Sequence, residues 1–321
     1  MINPLALLEN PKLVVTIGDN EYTEFQSLSI TKNVESIAGS FNISFAGVDP
    51  EIEIESEVEI TYNDENVFSG FVEVIDSELT ESGVNYKYSG RSNCGQLVGT
   101  SIEKAVEFKN KKADFIINQV LAPFDIKAVF DADAGDKIKK FSVEPSEDPA
   151  SVIKKLVNMR KLLAYDDAGE LLIAKSGDER SGATLSSGRY LAKKTTNVTN
   201  VYSNYTVIGN SNKIKAEALN NNINRYRPKI IVSSNKIDQA TAQNRAEWQK
   251  QKDEGKKTTI SVSGQGWLDD QGNILRINSI VSLDFLEINL AGNYLIQNIT
   301  YNYSNSGTQI DMSLVNEDTY K

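Results

Sequence analysis

Apolar and polar residues alternate with a period of two along much of the first ninety positions. In EIEIESEVEI (51–60), Ile52, Ile54, Val58 and Ile60 fall on one side and the five glutamates on the other, which predicts a strand with one buried and one wet face. Phe41, Ile43 and Phe45 repeat the pattern, as do Val84, Tyr86 and Tyr88. Turn residues at 18–20, 63–66 and 81–83 separate these runs, so an antiparallel meander curving into a small barrel is expected. Near residue 100 the period lengthens. Residues 111–121 place Phe115, Ile116, Gln119 and Val120 near one helical face, and Pro123 ends that helix. A second helix is signposted by Ser146 as cap, by Glu147 and Asp148 at its positive end and by Pro149 in its first turn. Val152, Ile153, Leu156, Val157 and Arg160 then follow at helical spacing. KLLAYDDAGELLIAKS reads as strand, turn at 166–169, strand.

A second strand-rich region opens near Ser187 with NVYSNYTVIG. It is broken by a polar stretch at 210–224 and a helical stretch from Asp238 to about Glu254, where Ala242, Arg245, Ala246 and Gln249 share a side and Trp248 lies just off it. Strands resume at 258–263, 279–285, 293–301 and 309–314. The expected architecture is a β-rich α+β multidomain chain. It has a first β-barrel-like domain at 1–98, a small mixed α/β domain at 99–184, a second β-barrel-like domain at 185–210 and 256–321, and a helix-containing insertion at 211–255.

Composition narrows the chemistry. The 321 residues contain no histidine and one cysteine, Cys94, which excludes a histidine base, Cys/His pairing, an internal disulfide and the usual zinc sets. A formal charge of −10, from 34 Lys plus Arg against 44 Asp plus Glu, argues against a protein whose main task is gripping phosphates. Residues 1–9 carry neither a basic leader nor a long apolar segment, and no apolar run is long enough to span a bilayer, so a soluble product without secretion signal or membrane-spanning contact is expected.

No candidate site carries catalysis well. Acids such as Glu53, Glu55, Asp166 and Asp269-Asp270 fall on outward strand positions or in turns, where solvation accounts for them; a carboxylate-dependent glycosidase is the weak enzymatic alternative. DADAGD (131–136) resembles a calcium loop but has Ser142 where the closing glutamate belongs. Gly264-Gln265-Gly266-Trp267 lacks the rest of a phosphate loop and reads as a tight turn beside an anchored tryptophan. Arg91, in Ser89-Gly90-Arg91-Ser92, can reach a carboxylate or a strand-end carbonyl. Arg225-Tyr226-Arg227-Pro228 sets two guanidiniums about an aromatic ahead of a proline, an arrangement suited to a domain joint or a subunit contact. No catalytic, cofactor or metal residue is assigned.

The order of these motifs resembles the phage Mu-like P protein, the contractile-tail baseplate hub family. The resemblance runs from Phe68-Ser69-Gly70-Phe71-Val72 to Tyr88-Ser89-Gly90-Arg91-Ser92, with Gln96-Leu97-Val98 where the family has Asp-Leu-Val. It returns at Arg225-Tyr226-Arg227-Pro228, at Arg245-Ala246-Glu247-Trp248, at Gly264-Gln265-Gly266-Trp267, and in the closing strand pair with Gly307-Thr308 at its turn. The match rests on Gly70, Gly90, Arg91, Arg225, Pro228, Trp248, Trp267 and Gly307, positions expected to maintain the fold or its joints, with Tyr226 and Arg227 as further interface candidates. The resemblance implies a virion protein of the tail baseplate, assembled in the host cytoplasm. It implies a homotrimeric ring that joins the sixfold tail tube, or its initiator, to the threefold central spike beside other baseplate proteins, with DNA passing without sequence-specific binding. The same resemblance would suit the hub of a DNA-free injection particle; a carbohydrate-binding tail protein is the competing class.

Overall fold

The computed structural model describes residues 12–47, 49–81, 83–177, 179–209, 213–233 and 237–321. The start at 1–9, Ser82 of the expected 81–83 turn, and 210–212 of the polar stretch lie outside the described residues. The first strands are β1 (Leu13–Ile17), β2 (Asn20–Tyr22), β3 (Ser27–Asn33), β4 (Ser40–Ala46), β5 (Glu57–Tyr62), β6 (Glu65–Thr80) and β7 (Gly83–Ser92). Their alternation survives folding: Leu28, Ile30 and Lys32 of β3 are buried while their neighbours are half-exposed, and Phe41, Ile43 and Phe45 do the same in β4. The expected strand at 51–60 is cut in half. Glu51 and Glu55 take positive φ, Ile54 is exposed, and only residues from Glu57 onward join β5. The N–H of Glu55 donates to the Val72 carbonyl and that of Val72 to the Ser56 carbonyl, so a turn against β6 takes the hydrogen bonds that a longer strand would have used.

Next come β8 (Val106–Lys111), α1 (Ala113–Leu121), β9 (Ala128–Phe130), β10 (Ile138–Val143), α2 (Pro149–Met159), β11 (Leu163–Asp167) and β12 (Glu170–Ala174). The buried face of α1 is Ala113, Ile116, Ile117, Val120 and Leu121; Phe115 and Gln119 turn to solvent, so the expected face is rotated. The cap of α2 is Asp148, whose carboxylate accepts the Ser151 N–H at 2.9 Å, and not Ser146, which stands at φ 68°. Val152, Ile153, Leu156 and Val157 of α2 pack with the buried face of α1, with Phe141 of β10 and with Leu171 and Ile173 of β12 in a core of their own.

The remaining elements are β13 (Glu179–Ser186), β14 (Tyr190–Thr196), β15 (Asn204–Ile208), β16 (Lys215–Leu219), β17 (Pro228–Val232), α3 (Gln239–Gly255), β18 (Thr258–Gln265), β19 (Ser279–Phe285), β20 (Leu290–Ser304) and β21 (Gly307–Asn316). Ala242 and Ala246 of α3 lie on Tyr205, Val207, Ala216 and Ala218 of the sheet β16-β15-β17; alanines on that face let the helix approach closely.

The two expected β-barrel-like domains are not present. Both strand groups belong to one open sheet of thirteen strands, ordered β14-β18-β21-β20-β3-β4-β7-β6-β5-β1-β2, with β19 and β13 branching from β20. The cause is the length of β20. Its first part pairs with β19 and its second, Asn298–Ser304, pairs antiparallel with β3, which joins the halves edge to edge into one sheet. One hydrophobic core runs through both halves, from Val15, Phe41 and Phe68 to Trp267, Ile299 and Leu314. Full burial of such side chains contributes about 1.5–3 kcal/mol each. The first half is also no simple meander, because β4 skips to β7.

Candidate functional site

Two of the glycines singled out from sequence, Gly70 and Gly90, meet on the β6–β7 ladder. Gly70 of β6 lies opposite Ser92, and Gly90 of β7 opposite Val72, beside a bulge between Val72 and Val74. A Cβ on Gly70 would stand 2.2 Å from the Arg91 carbonyl oxygen, and one on Gly90 only 1.9 Å from that of Phe71, so neither position has room for a side chain. Gly90-Arg91-Ser92 is the end of β7. From it Arg91 Nε donates to Glu73 at 2.8 Å, Nη2 donates to the same carboxylate at 2.6 Å, and Nη1 reaches the Val98 carbonyl at 3.2 Å. This fork holds the bulged strand against the chain leaving the sheet. Trp267 is fully buried between Tyr62 and Tyr301, and its Nε1 lies 3.0 Å from the carbonyls of Asn302 and Gln309. Trp248 extends from α3 into the large core and donates to the Tyr320 carbonyl. Gly307, at φ 89°, opens β21 after a two-residue turn.

Arg225-Tyr226-Arg227-Pro228 divides into inward and outward parts. Arg227 faces in: Nη1 donates to the Val198 carbonyl at 2.9 Å, Nη2 to that of Thr199, and the guanidinium lies over the Tyr202 ring. It thereby ties the 198–203 loop to the start of β17. Arg225 and Tyr226 face out, with Tyr226 87% exposed, and Pro228 leads into an edge strand whose Ile230 and Val232 are 63% and 68% exposed.

The cluster of ionisable groups that sequence reasoning missed sits where the large sheet meets the α/β unit. Lys32 of β3 and Asp166 of β11 are both buried, 3.8 Å apart; Asp167 lies 4.0 Å from Lys32 and accepts from Arg276 Nη1 at 3.0 Å, while Arg276 also reaches Glu65. Burial pushes Asp166 above the usual carboxylate range and Lys32 below the usual ammonium range, with each ion's attraction opposing the effect on the other. Asp166 is therefore no solvated turn acid. Asp269 is buried too, and its Oδ1 accepts the N–H groups of Gln271 and Asn273. A period-two or turn reading cannot see either burial; an acid flanked by Tyr165 and followed by Ala168-Gly169 was the one local sign of a tight, covered hairpin.

A cavity of ≈ 190 Å³ lies beside the cluster, lined by Lys32, Tyr165, Asp167, Arg276, Asn278 and Tyr301. Of its two carboxylates, Asp131 and Asp167, the second faces the cations Lys32 and Arg276, and the Tyr301 hydroxyl is spent on the Leu275 carbonyl at 2.5 Å. The Cys94 thiol is buried, with its pKa raised by that burial and by nearby Asp166, so it is a poor nucleophile. Among the described residues no group of three or more metal-ligating side chains is placed to hold an ion, and no helix is long and apolar enough to cross a membrane.

The candidate residues thus form joints braced by ion pairs, beside exposed apolar edges. Comparison with known proteins places the chain among tail proteins. Residues 94–175 match the model of the baseplate hub protein gp44-like second domain, and residues 238–321 that of the Mu phage baseplate assembly protein GpP fourth domain. The baseplate hub protein gp44 of Escherichia phage Mu is 21% identical over 289 residues, covering 82% of this chain and 76% of the relative. The 43 kDa tail protein of prophage MuSo2 from Shewanella oneidensis has this fold at a TM-score of 0.87 and 24% identity, covering 97% of this chain and 100% of that one. The tail protein from Neisseria meningitidis MC58 has it at 0.87 and 18%, covering 97% and 98%. The chain belongs to the baseplate hub gp44/GpP family. As a member it belongs with the structural proteins of the virion's tail baseplate.

Proposed function

We propose that three copies of this chain form a ring that joins a sixfold tail tube to a threefold central spike, beside other baseplate proteins. The observation that carries this reading is the construction of the sheet. Each half is built around a long hairpin with a bulge, β6–β7 at Val72/Val74 and β20–β21 at Ile296/Asn298, and the two halves are fused through β3 and β20 into one unit. Three such units place six strand-built surfaces around an axis, while the α/β unit and α3, each present once per chain, keep a threefold character. The family membership supports the same assignment. The ring leaves a central path for DNA, and the acidic balance of the chain suits passage without binding.

Native mass measurement with class-averaged electron microscopy, on the purified chain and on its mixture with tube and spike proteins, tests the proposal. Threefold rings that contact a six-part tube are expected. A chain that remains monomeric with both partners present, or rings of another order, would falsify it.

A further inference from the structure

Four of the large apolar side chains left in solvent gather on the small sheet β16-β15-β17: Leu219, Tyr226, Ile230 and Val232. On its outer face Pro228 pairs in register with Asn204, Ile230 with Thr206, and Val232 with Ile208, so the apolar side chains line β17 itself. Among the described residues strand β17 is hydrogen-bonded on one side, to β15. Edges of this kind are normally blunted by charge, by shortness or by a covering element. Here Pro228 removes a donor at one end, and the outward side chains after it are apolar. The nearby outward cations are Arg225 and Lys215, with Glu217 between Lys215 and Leu219.

The same chain carries a matching surface. Strand β6 pairs with β5 only as far as Phe71, so from Glu73 to Leu79 it runs as an arm whose strand partner among the described residues is β7. Near the arm's tip Leu79 is 82% exposed, and Val74 is exposed nearer its base. Asp76, Glu78 and Glu81 make the arm acidic. The division of charge points the same way. Residues 12–98 hold 4 Lys or Arg against 16 Asp or Glu, whereas residues 99–321 hold 30 against 27. Two copies meeting through like surfaces would set acid against acid; meeting head to tail, they set the acidic arm of one against the near-neutral remainder of the next.

We propose that β17 is the docking edge for a second copy of this chain, which adds its β6 arm as a fourth strand to β16-β15-β17, with Leu79 against Ile230 and Val232 and with Arg225 facing the arm's carboxylates. The contact is heterologous, which closes into a ring when three copies turn through a full rotation, and it rests on the trimer reading above.

Because Cys94 is buried and alone, introduced surface thiols report cleanly. Full-length Leu79→Cys chains are mixed with full-length Ile230→Cys chains, the trimer is isolated by native mass, and a short bis-maleimide is added. A covalent dimer is expected from the mixture and from neither variant alone. In a second arm, Arg225→Glu should lose the trimer and the added Glu78→Lys should restore it, with unchanged thermal unfolding of each variant showing that both fold. A trimer that gives no cross-link in the mixture, or a cross-link from Ile230→Cys alone, overturns this contact and leaves the ring standing. The absence of any trimer, with tube and spike present, overturns both.

Discussion

Gly70 and Gly90 show how one atom decides a strand pairing. The carbonyl oxygens of Arg91 and Phe71 occupy the places where side chains would begin, and both are backbone atoms whose movement would disturb the β6–β7 ladder and the Arg91–Glu73 fork. Gly90→Ala is expected to lower stability by about 3 kcal/mol, the upper end of ordinary overpacking costs. The midpoint of urea unfolding measures this; an unchanged midpoint would show that the ladder can open without loss. Trp267 illustrates the opposite kind of residue, a large group whose single N–H lies between two strand carbonyls. Sequence marked both kinds, because a glycine within a strand run and a tryptophan after two close glycines are locally conspicuous, although Gly264 and Gln265 end β18 and do not form the expected tight turn. It did not mark Asp166 or Lys32, whose roles depend on elements that meet only after folding.

At the scale of elements, two helices start on aspartates with different duties. Asp238 accepts the Thr241 N–H at 2.8 Å and caps α3 alone. Asp148 caps α2 and, through its other oxygen, also accepts the Gly99 N–H at 2.8 Å, tying the helix to the chain that leaves the sheet. Asp238→Ala should cost about 1 kcal/mol, and Asp148→Ala about 2 kcal/mol because it removes a second charge-assisted hydrogen bond. Equal losses for the two variants in thermal unfolding would refute the double duty. The helices were legible from their spacing, and so was the buried face of α2, but not that of α1: Ile117 and Leu121 replaced Phe115 and Gln119 because β9, β10 and α2, not the helix's own pattern, decide which side is covered.

Across the whole molecule, Glu35 bridges distant parts of the chain. It follows β3 and meets Lys252 Nζ at 2.7 Å and Lys256 Nζ, both on or at the end of α3. Burial alone would raise its carboxyl, but the two ammonium groups outweigh burial and hold it below its ordinary value of 4.5. A carboxyl depressed in the folded state adds stability that is present above its unfolded value and lost as pH falls through the folded one. The stability difference between the natural chain and Glu35→Gln should therefore be full at neutral pH and shrink as pH drops below 4.5. Urea titrations across that range check it, and a difference independent of pH would remove the ion pair from the account.

What the sequence by itself determined is local: strand faces from alternation, helix positions from spacing, the absence of histidine and disulfide chemistry, and a family from the order of its motifs. Which strands become neighbours is not local. Thr31 and Thr300 share a hydrogen bond at 3.1 Å across 269 positions, and no periodicity in either segment names the other. Only tertiary structure could decide that β20 joins β3 and leaves the sheet open, because alternation specifies the face of a strand but not the partner at its edge. For the same reason, the burial of Asp166 beside Lys32 had to wait for two distant elements to meet.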